Sequence, residues 1–129
     1  MARWALVETL LYAGRNEEGL AAAEPALVMS GRHPYVLTAV AAAHARLGNV
    51  DGALAVHQEL LGRSRTGYVG PAWLAASAAS AGLLDDARRY AARAVEELDS
   101  PLVFWRELPD WDAFRADPKC VEVLQAAGV

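Results

Sequence analysis

Three glycines, Gly14, Gly48 and Gly82, each close a helical stretch, and they lie 34 residues apart on both steps. That spacing constrains the chain more than any other feature. Self-similarity at a fixed period of this length marks a fold made by stacking one supersecondary unit. The three ends read Tyr12-Ala13-Gly14, Arg46-Leu47-Gly48 and Ser80-Ala81-Gly82. Five residues later stands a small residue (Gly19, Ala53, Ala87), and seven earlier another small or modest one (Val7, Ala41, Ala75). A glycine at a helix end can take the left-handed conformation that turns the chain back. Small side chains where two helices cross let the backbones approach. Together these positions predict three helix-turn-helix units.

The period places a first helix (A) and a second (B) in each unit: about 2–13 and 17–31, then 34–47 and 51–63, then 70–81 and 85–98. Asn16, Asp51 and Asp85 are expected as N-caps of the B helices, because a side-chain oxygen there accepts an unpaired amide hydrogen. Pro71 suits a first helical turn, where no amide bond is lost. Pro25 falls inside the first B helix and is expected to bend or break it. Residues 62–70, with three glycines, form a connector longer than the other inter-unit turn. After the third unit the pattern stops. Ser100-Pro101 opens a segment carrying Phe104, Trp105, Trp111 and Phe114, and Asp117-Pro118 begins a last helix to about Ala127. Stacked units have open ends, so this aromatic tail is expected to fold back over the end of the third unit. The organisation is three repeats over 1–100 (about 1–33, 34–67 and 68–100) and a C-terminal capping segment over 101–129.

Residues 1 to about 100 resemble the tetratricopeptide repeat family. The resemblance implies an all-α fold, an α-α superhelix (a TPR-like solenoid) of three helix-turn-helix repeats closed by the capping segment. Leu10, His44 and Ala78 stand where the family carries an aromatic in helix A, and Ala23, His57 and Ala91 where helix B carries a later one. A thinner core follows. The second half is more closely similar to a recurring bacterial C-terminus, through Gly67-Tyr68-Val69-Gly70-Pro71, the third repeat, Leu102-Val103-Phe104 and Phe114-Arg115-Ala116-Asp117-Pro118-Lys119. That ending closes tetratricopeptide regions attached to winged-helix regulators, nucleotide cyclases and serine/threonine kinases. An aromatic residue usually follows its Asp-Pro-Arg, where Lys119 and Cys120 stand here. The likeness implies a chain that is, or derives from, the C-terminal part of a larger signalling or regulatory protein. It carries over no effector activity.

In such a stack the A helices line the concave face, and the resemblance implies that partners bind there. Register puts Trp4, Glu8 and Tyr12 on that face from the first repeat, Thr38, Ala42 and Arg46 from the second, and Ala72, Trp73, Ala76 and Ser80 from the third. Aromatic and arginine side chains dominate interface energetics, so Trp4, Tyr12, Arg46 and Trp73 are the foremost contact candidates. Both tryptophans suit a place between helices equally well. Glu8, Ala42 and Ala76 occupy the place of the lysine/asparagine clamp that some members use for a terminal carboxylate, which disfavours that ligand. An alanine-lined floor suits a helix or an extended apolar segment. The expected function is a protein-protein interaction module binding a peptide or helix of a partner. The alternative is self-association, as a homodimer, or a regulatory C-terminal domain of a larger protein.

Composition narrows the remaining classes. The formal charge is −4 and no long basic run exists; Arg63 with Arg65, and Arg88 with Arg89 and Arg93, are the densest basic groups. A nucleic-acid surface needs more concentrated charge. No apolar stretch is long enough to span a bilayer, and the opening residues lack the core of a signal peptide. A soluble cytoplasmic protein is the expectation. Cys120 is the only cysteine, so no intrachain disulfide forms, and it is expected to pack inward. His44 and His57 face each other across one repeat, but no third ligand falls at a metal-site spacing. They read as half-buried or core histidines; His33 precedes Pro34 in a turn, exposed. No serine has a nucleophile motif around it and no phosphate loop appears. A metal-binding protein or enzyme is a remote alternative, and no cofactor is expected.

Overall fold

The computed structural model describes residues 2–129, with side chains from residue 4 onward. Met1, which opens the first repeat, lies outside the described residues. Among the described residues the chain is all helical, without strands. Its α-helices are α1 (Ala2–Tyr12), α2 (Asn16–Ser30), α3 (Pro34–Arg46), α4 (Val50–Ser64), α5 (Pro71–Ser80), α6 (Leu84–Glu96), α7 (Asp112–Arg115) and α8 (Pro118–Ala126). Two short 3₁₀ segments, Ser100–Phe104 and Pro109–Trp111, lie between α6 and α7. The elements pack as three consecutive hairpins, α1 on α2, α3 on α4 and α5 on α6. Each hairpin meets the next twice: α2 against α3 and α4 against α5, and also α1 against α3 and α3 against α5. No helix of the described chain is long and apolar enough to cross a membrane.

The three periodic glycines do the same conformational work. Gly14, Gly48 and Gly82 have φ of 75°, 76° and 80°. In each turn the glycine amide bonds back three residues and the next amide bonds back five: Arg15 to Leu10 at 2.9 Å, Asn49 to His44 at 2.8 Å and Leu83 to Ala78 at 2.9 Å. This is the Schellman arrangement, which satisfies the last carbonyls of a helix through a left-handed residue. Substituting Gly48 with alanine is expected to cost about 1–2 kcal/mol, the penalty of an L-residue in that conformation. A urea midpoint unchanged from wild type would show that the turn does not need its glycine.

The turn also relocates the helix starts. The N-cap positions are Arg15, Asn49 and Leu83, again 34 apart, because the reversal leads straight into the next helix. Asn16, Asp51 and Asp85 therefore lie inside their first turns and are not the caps expected from composition. Asn49 alone of the three cap residues uses its side chain, accepting the Gly52 amide at 3.0 Å. The acids Glu17, Glu18, Asp51, Asp85 and Asp86 remain in first turns, beside the positive ends of the helix dipoles. Pro25 does not break α2, which runs through it to Ser30. Its ring sits on the exposed side, where the Ala21 carbonyl left without a helical partner faces water.

The crossing positions Val7, Ala41, Ala75, Ala53 and Ala87 are fully buried. At Gly19 a β-carbon would stand 2.9 Å from the end of the Leu11 side chain, so glycine lets that leucine lie close against α2. Leucine and valine supply the bulk in the core of the first two hairpins, among them Leu11, Leu37 and Leu60. The third hairpin is different. All ten residues of α5 are buried, and seven of its side chains are Ala or Ser. Bulk there comes from the tail: Trp105, Trp111, Phe114 and Leu124 complete that core. The tail therefore does more than close an end. Helix α8 packs on α6, while Pro109–Trp111 and α7 lie across α5 and α3, and Pro109–Trp111 reaches α1.

Candidate functional site

The face made by α1, α3 and α5 collects most of the residues that the register selects. Glu8, Thr38, Ala42, Trp73, Ala76 and Ser80 are all buried, Trp4 and Arg46 are half-buried, and Tyr12 is 59% exposed. What buries the middle of this face is the chain itself. Residues 107–112 run over it, so polar groups on the A helices find partners in the tail. The Tyr12 hydroxyl donates to the Glu107 carbonyl oxygen at 2.5 Å. The Thr38 hydroxyl donates to Asp110 Oδ2 at 2.8 Å.

Arg46 is the pivot of the charged end. Its Nε donates to Asp112 Oδ2 at 2.6 Å, and Nη2 lies 2.5 Å from the same oxygen. Nη1 donates to the Leu11 carbonyl oxygen and reaches Asn16 Oδ1 at 3.3 Å. One guanidinium thus ties α1, the start of α2 and the tail to α3. Asp112 is gripped from its other side by Arg115 at 2.6 Å, and Arg115 also donates to the carbonyls of Trp105 and Leu108. Charge-assisted bonds of this kind are about twice as strong as neutral ones.

Next to this ion pair lies a carboxyl pair. Glu8 and Asp110 are 5% and 2% exposed. Both oxygens of Glu8, and Oδ1 of Asp110, are buried without a donor if both groups are ionised. Burial raises both acids above the ordinary carboxyl range. Glu8 is pushed up to about 10, by burial first and then by the neighbouring Asp110 carboxyl, against the pull of Arg46. Asp110 is raised by burial while its bonds to Glu8 and Thr38 favour its ionised form. Both shifts run towards the protonated form, so the two carboxyls do not stand ionised together in this site.

The tryptophans are part of the packing between A helices. Tyr35 stands between them, edge-on to Trp4 (centroids 5.5 Å apart) and to Trp73 (4.6 Å). His33 stacks on Tyr35 at 4.7 Å, and its Nδ1 accepts the Tyr35 amide as the cap of α3. Beside these rings is a cavity of about 580 Å³, reaching Tyr68, Arg63 and Asp99. At the other end of the face a hollow of about 240 Å³ stays open, lined by Ala42, Ala45, Ser80, Ala113 and Ala116, with Arg46 and Asp112 beside it. Its lining is almost all methyl groups, contributed by α3 and α5 on one side and by Ala113 and Ala116 of the tail on the other.

The two histidines of the second hairpin do not act together. His57 is buried, with Nδ1 2.7 Å from Ser77 Oγ, and burial lowers its affinity for a proton. His44 faces Asn49 at the turn instead. Among the described residues no group of three His, Cys, Asp or Glu is placed to hold a metal ion. Cys120 is fully buried, and burial with the nearby Asp117 pushes its thiol up to about 12, far from a reactive thiolate.

Periodicity did not reveal Glu107, Asp110, Asp112 or Arg115, because they lie outside the repeats. The one signal was Asp110-Trp111-Asp112, two acids flanking an aromatic in the non-repeating tail. Their partners Thr38 and Arg46 stand 72 and 66 residues away. Comparison of the chain with protein-family models, with curated proteins and with solved structures returns no match.

Proposed function

We propose that this chain is a protein-interaction module of the tetratricopeptide kind, a TPR-like solenoid that takes a peptide or helix of a partner on the concave face of α1, α3 and α5. The support for a solenoid is the 34-residue recurrence of turn, cap and crossing positions, with each A helix packed on its B helix and on the next A helix. The observation that carries the binding role is that this face already accepts a peptide. An irregular stretch of the chain's own backbone lies across all three A helices, held by side chains that point out of the stack. A surface that accommodates one such segment has the recessed apolar floor and the fixed polar anchors that peptide recognition requires. The open hollow at Ala42, Ala45, Ser80 and Ala116 extends that floor, and it suits one apolar anchor side chain of a partner.

The experiment is a selection of random displayed peptides against the folded chain, repeated on an Ala45→Arg variant. Ala45 is half-buried at the mouth of the hollow, so an arginine there fills the entrance without touching the core. Peptides are expected that bind the wild type and lose about tenfold or more on the variant, the worth of one buried anchor. A selection that yields no binders, or binders indifferent to Ala45→Arg, would remove the reading.

A further inference from the structure

Residues 107–110 cross the α1/α3 half of the face over two buried carboxyls, Glu8 and Asp110. The body side of this contact offers Glu8 and Tyr12 from α1, and Thr38 and Arg46 from α3; the tail offers Asp110 and Asp112. The Tyr12 hydroxyl donates to the Glu107 carbonyl, and the single hydroxyl proton of Thr38 is shared among Asp110 Oδ2 at 2.8 Å and the carbonyls of Pro34 and Tyr35 at 3.0 and 3.1 Å. The Arg46 nitrogens bond to Asp112, Leu11 and Asn16, and none of them bonds to Glu8 or Asp110. Glu8 Oε1, Glu8 Oε2 and Asp110 Oδ1 are then left buried without a donor, with the two carboxyls within hydrogen-bonding reach of each other. Two ionised carboxylates cannot stay in such a place, because each is stripped of water and repelled by the other. A shared proton converts the repulsion into a hydrogen bond.

The contact is also local. Beyond Asp110 the tail is fixed by different means: Trp111 and Phe114 are sunk in the alanine-rich third hairpin, and α8 packs on α6. Towards the other side, the chain passes from the 3₁₀ segment Ser100–Phe104 through a turn at 105–108. Lifting residues 107–110 from α1 and α3 breaks the Tyr12 and Thr38 bonds and the Arg115 bond to the Leu108 carbonyl, while the anchors on either side hold.

We propose that residues 107–110 form a strap over the α1/α3 half of the groove, latched by a proton shared between Glu8 and Asp110, and that loss of this proton opens the strap, bares Glu8 and Thr38 and frees the Tyr12 hydroxyl. The inference rests on the interaction-module reading only for its meaning; the latch itself is a property of the isolated chain. It makes access to half of the groove depend on pH, with the closed form at lower pH and the open form at higher pH. The raised proton affinity of Glu8, caused mainly by its burial, agrees with this direction.

Backbone hydrogen exchange in the full chain tests it. After correction for the base-catalysed intrinsic rate, the amides of Leu108 and Trp111, which bond to Phe104 and Leu108, are expected to lose protection as pH rises from about 6 to about 8.5, by up to about tenfold per pH unit. Amides of α5 and α6 are expected to keep theirs. Glu8→Gln and Asp110→Asn each supply an amide donor in place of the proton, so both are expected to keep the strap protected throughout. If one of the two does not fold, the other carries the comparison. Constant strap protection in the wild type overturns the latch. So does a parallel loss in α5 and α6, which would mean global opening, and so does a Glu8→Gln profile that matches wild type. None of these outcomes touches the peptide-selection result, so the two proposals fail separately.

Discussion

Replacing Glu8 with glutamine is expected to make the protein more stable at about pH 8.5 and to flatten a stability profile that falls with rising pH in the wild type. The Glu8 carboxyl holds its proton up to about 10 in the folded chain, against an ordinary value of 4.5. Over the interval between those values the native state binds a proton that the unfolded state has released. The stabilisation linked to this group is thus complete below about pH 4.5 and is lost as pH climbs towards 10. The slope is at most about 1.4 kcal/mol per pH unit. Lifting of the strap limits the total, because a solvated carboxylate no longer opposes folding, so roughly 2–4 kcal/mol is expected between pH 5.5 and 8.5. Set against a typical total of about 5–15 kcal/mol, this is a large share. In the variant, the glutamine amide donates to Asp110 at every pH. His57 acts with the opposite sign: its proton affinity is lowered by burial, so its contribution is present above about pH 6.5 and fades on acidification. It is common to both proteins and cancels in their difference. Urea midpoints at three pH values decide the matter, and parallel profiles for wild type and variant would refute it.

The parts of the structure that could be read from the residues are those where backbone geometry makes a residue-level demand. A left-handed turn asks for glycine, and a close crossing asks for alanine or glycine, so Gly14, Gly48, Gly82, Ala53 and Ala87 announced the hairpins. The caps were not legible, because the Schellman turn itself satisfies the helix ends and lets Arg15 and Leu83 stand where a polar cap would otherwise be wanted. Helical register could choose Glu8, Thr38 and Arg46 as neighbours on one face. It could not say what lies over them. That depends on where a non-repeating segment returns, and the return is dictated by the space left above seven small side chains of α5 together with two acids that need a cation and a proton. An alanine-rich helix reads as a thin core from sequence. In three dimensions it is a socket for tryptophan and phenylalanine.

That socket sets the largest expected loss from a single substitution. Trp111 is 1% exposed and Phe114 fully buried, with ring centroids 5.2 Å apart and planes at 81°. Around them stand Ala72, Ala75, Ala76 and Ala79, whose methyl groups cannot move to fill a vacancy, and Leu102 and Leu124, which are already packed. Trp111→Ala is therefore expected to cost about 3–5 kcal/mol: the lost transfer energy of the indole plus a cavity that the surroundings cannot close. Collapse around the site would lower the figure, but alanine on a helix backbone is the least able of residues to collapse. The same truncation on the tail's outer side, Val103→Ala at a residue 72% exposed, is expected to change stability by less than about 0.5 kcal/mol. Both are read from urea midpoints with the slope held in view, since a lowered slope in the Trp111 variant would mean that α5 is partly bared before unfolding. A Trp111→Ala chain within about 1 kcal/mol of wild type would show that the third hairpin holds its shape without the tail. The tail would then be a covering laid on a finished stack, and Pro109–Trp111 would sit on the groove for reasons other than core packing.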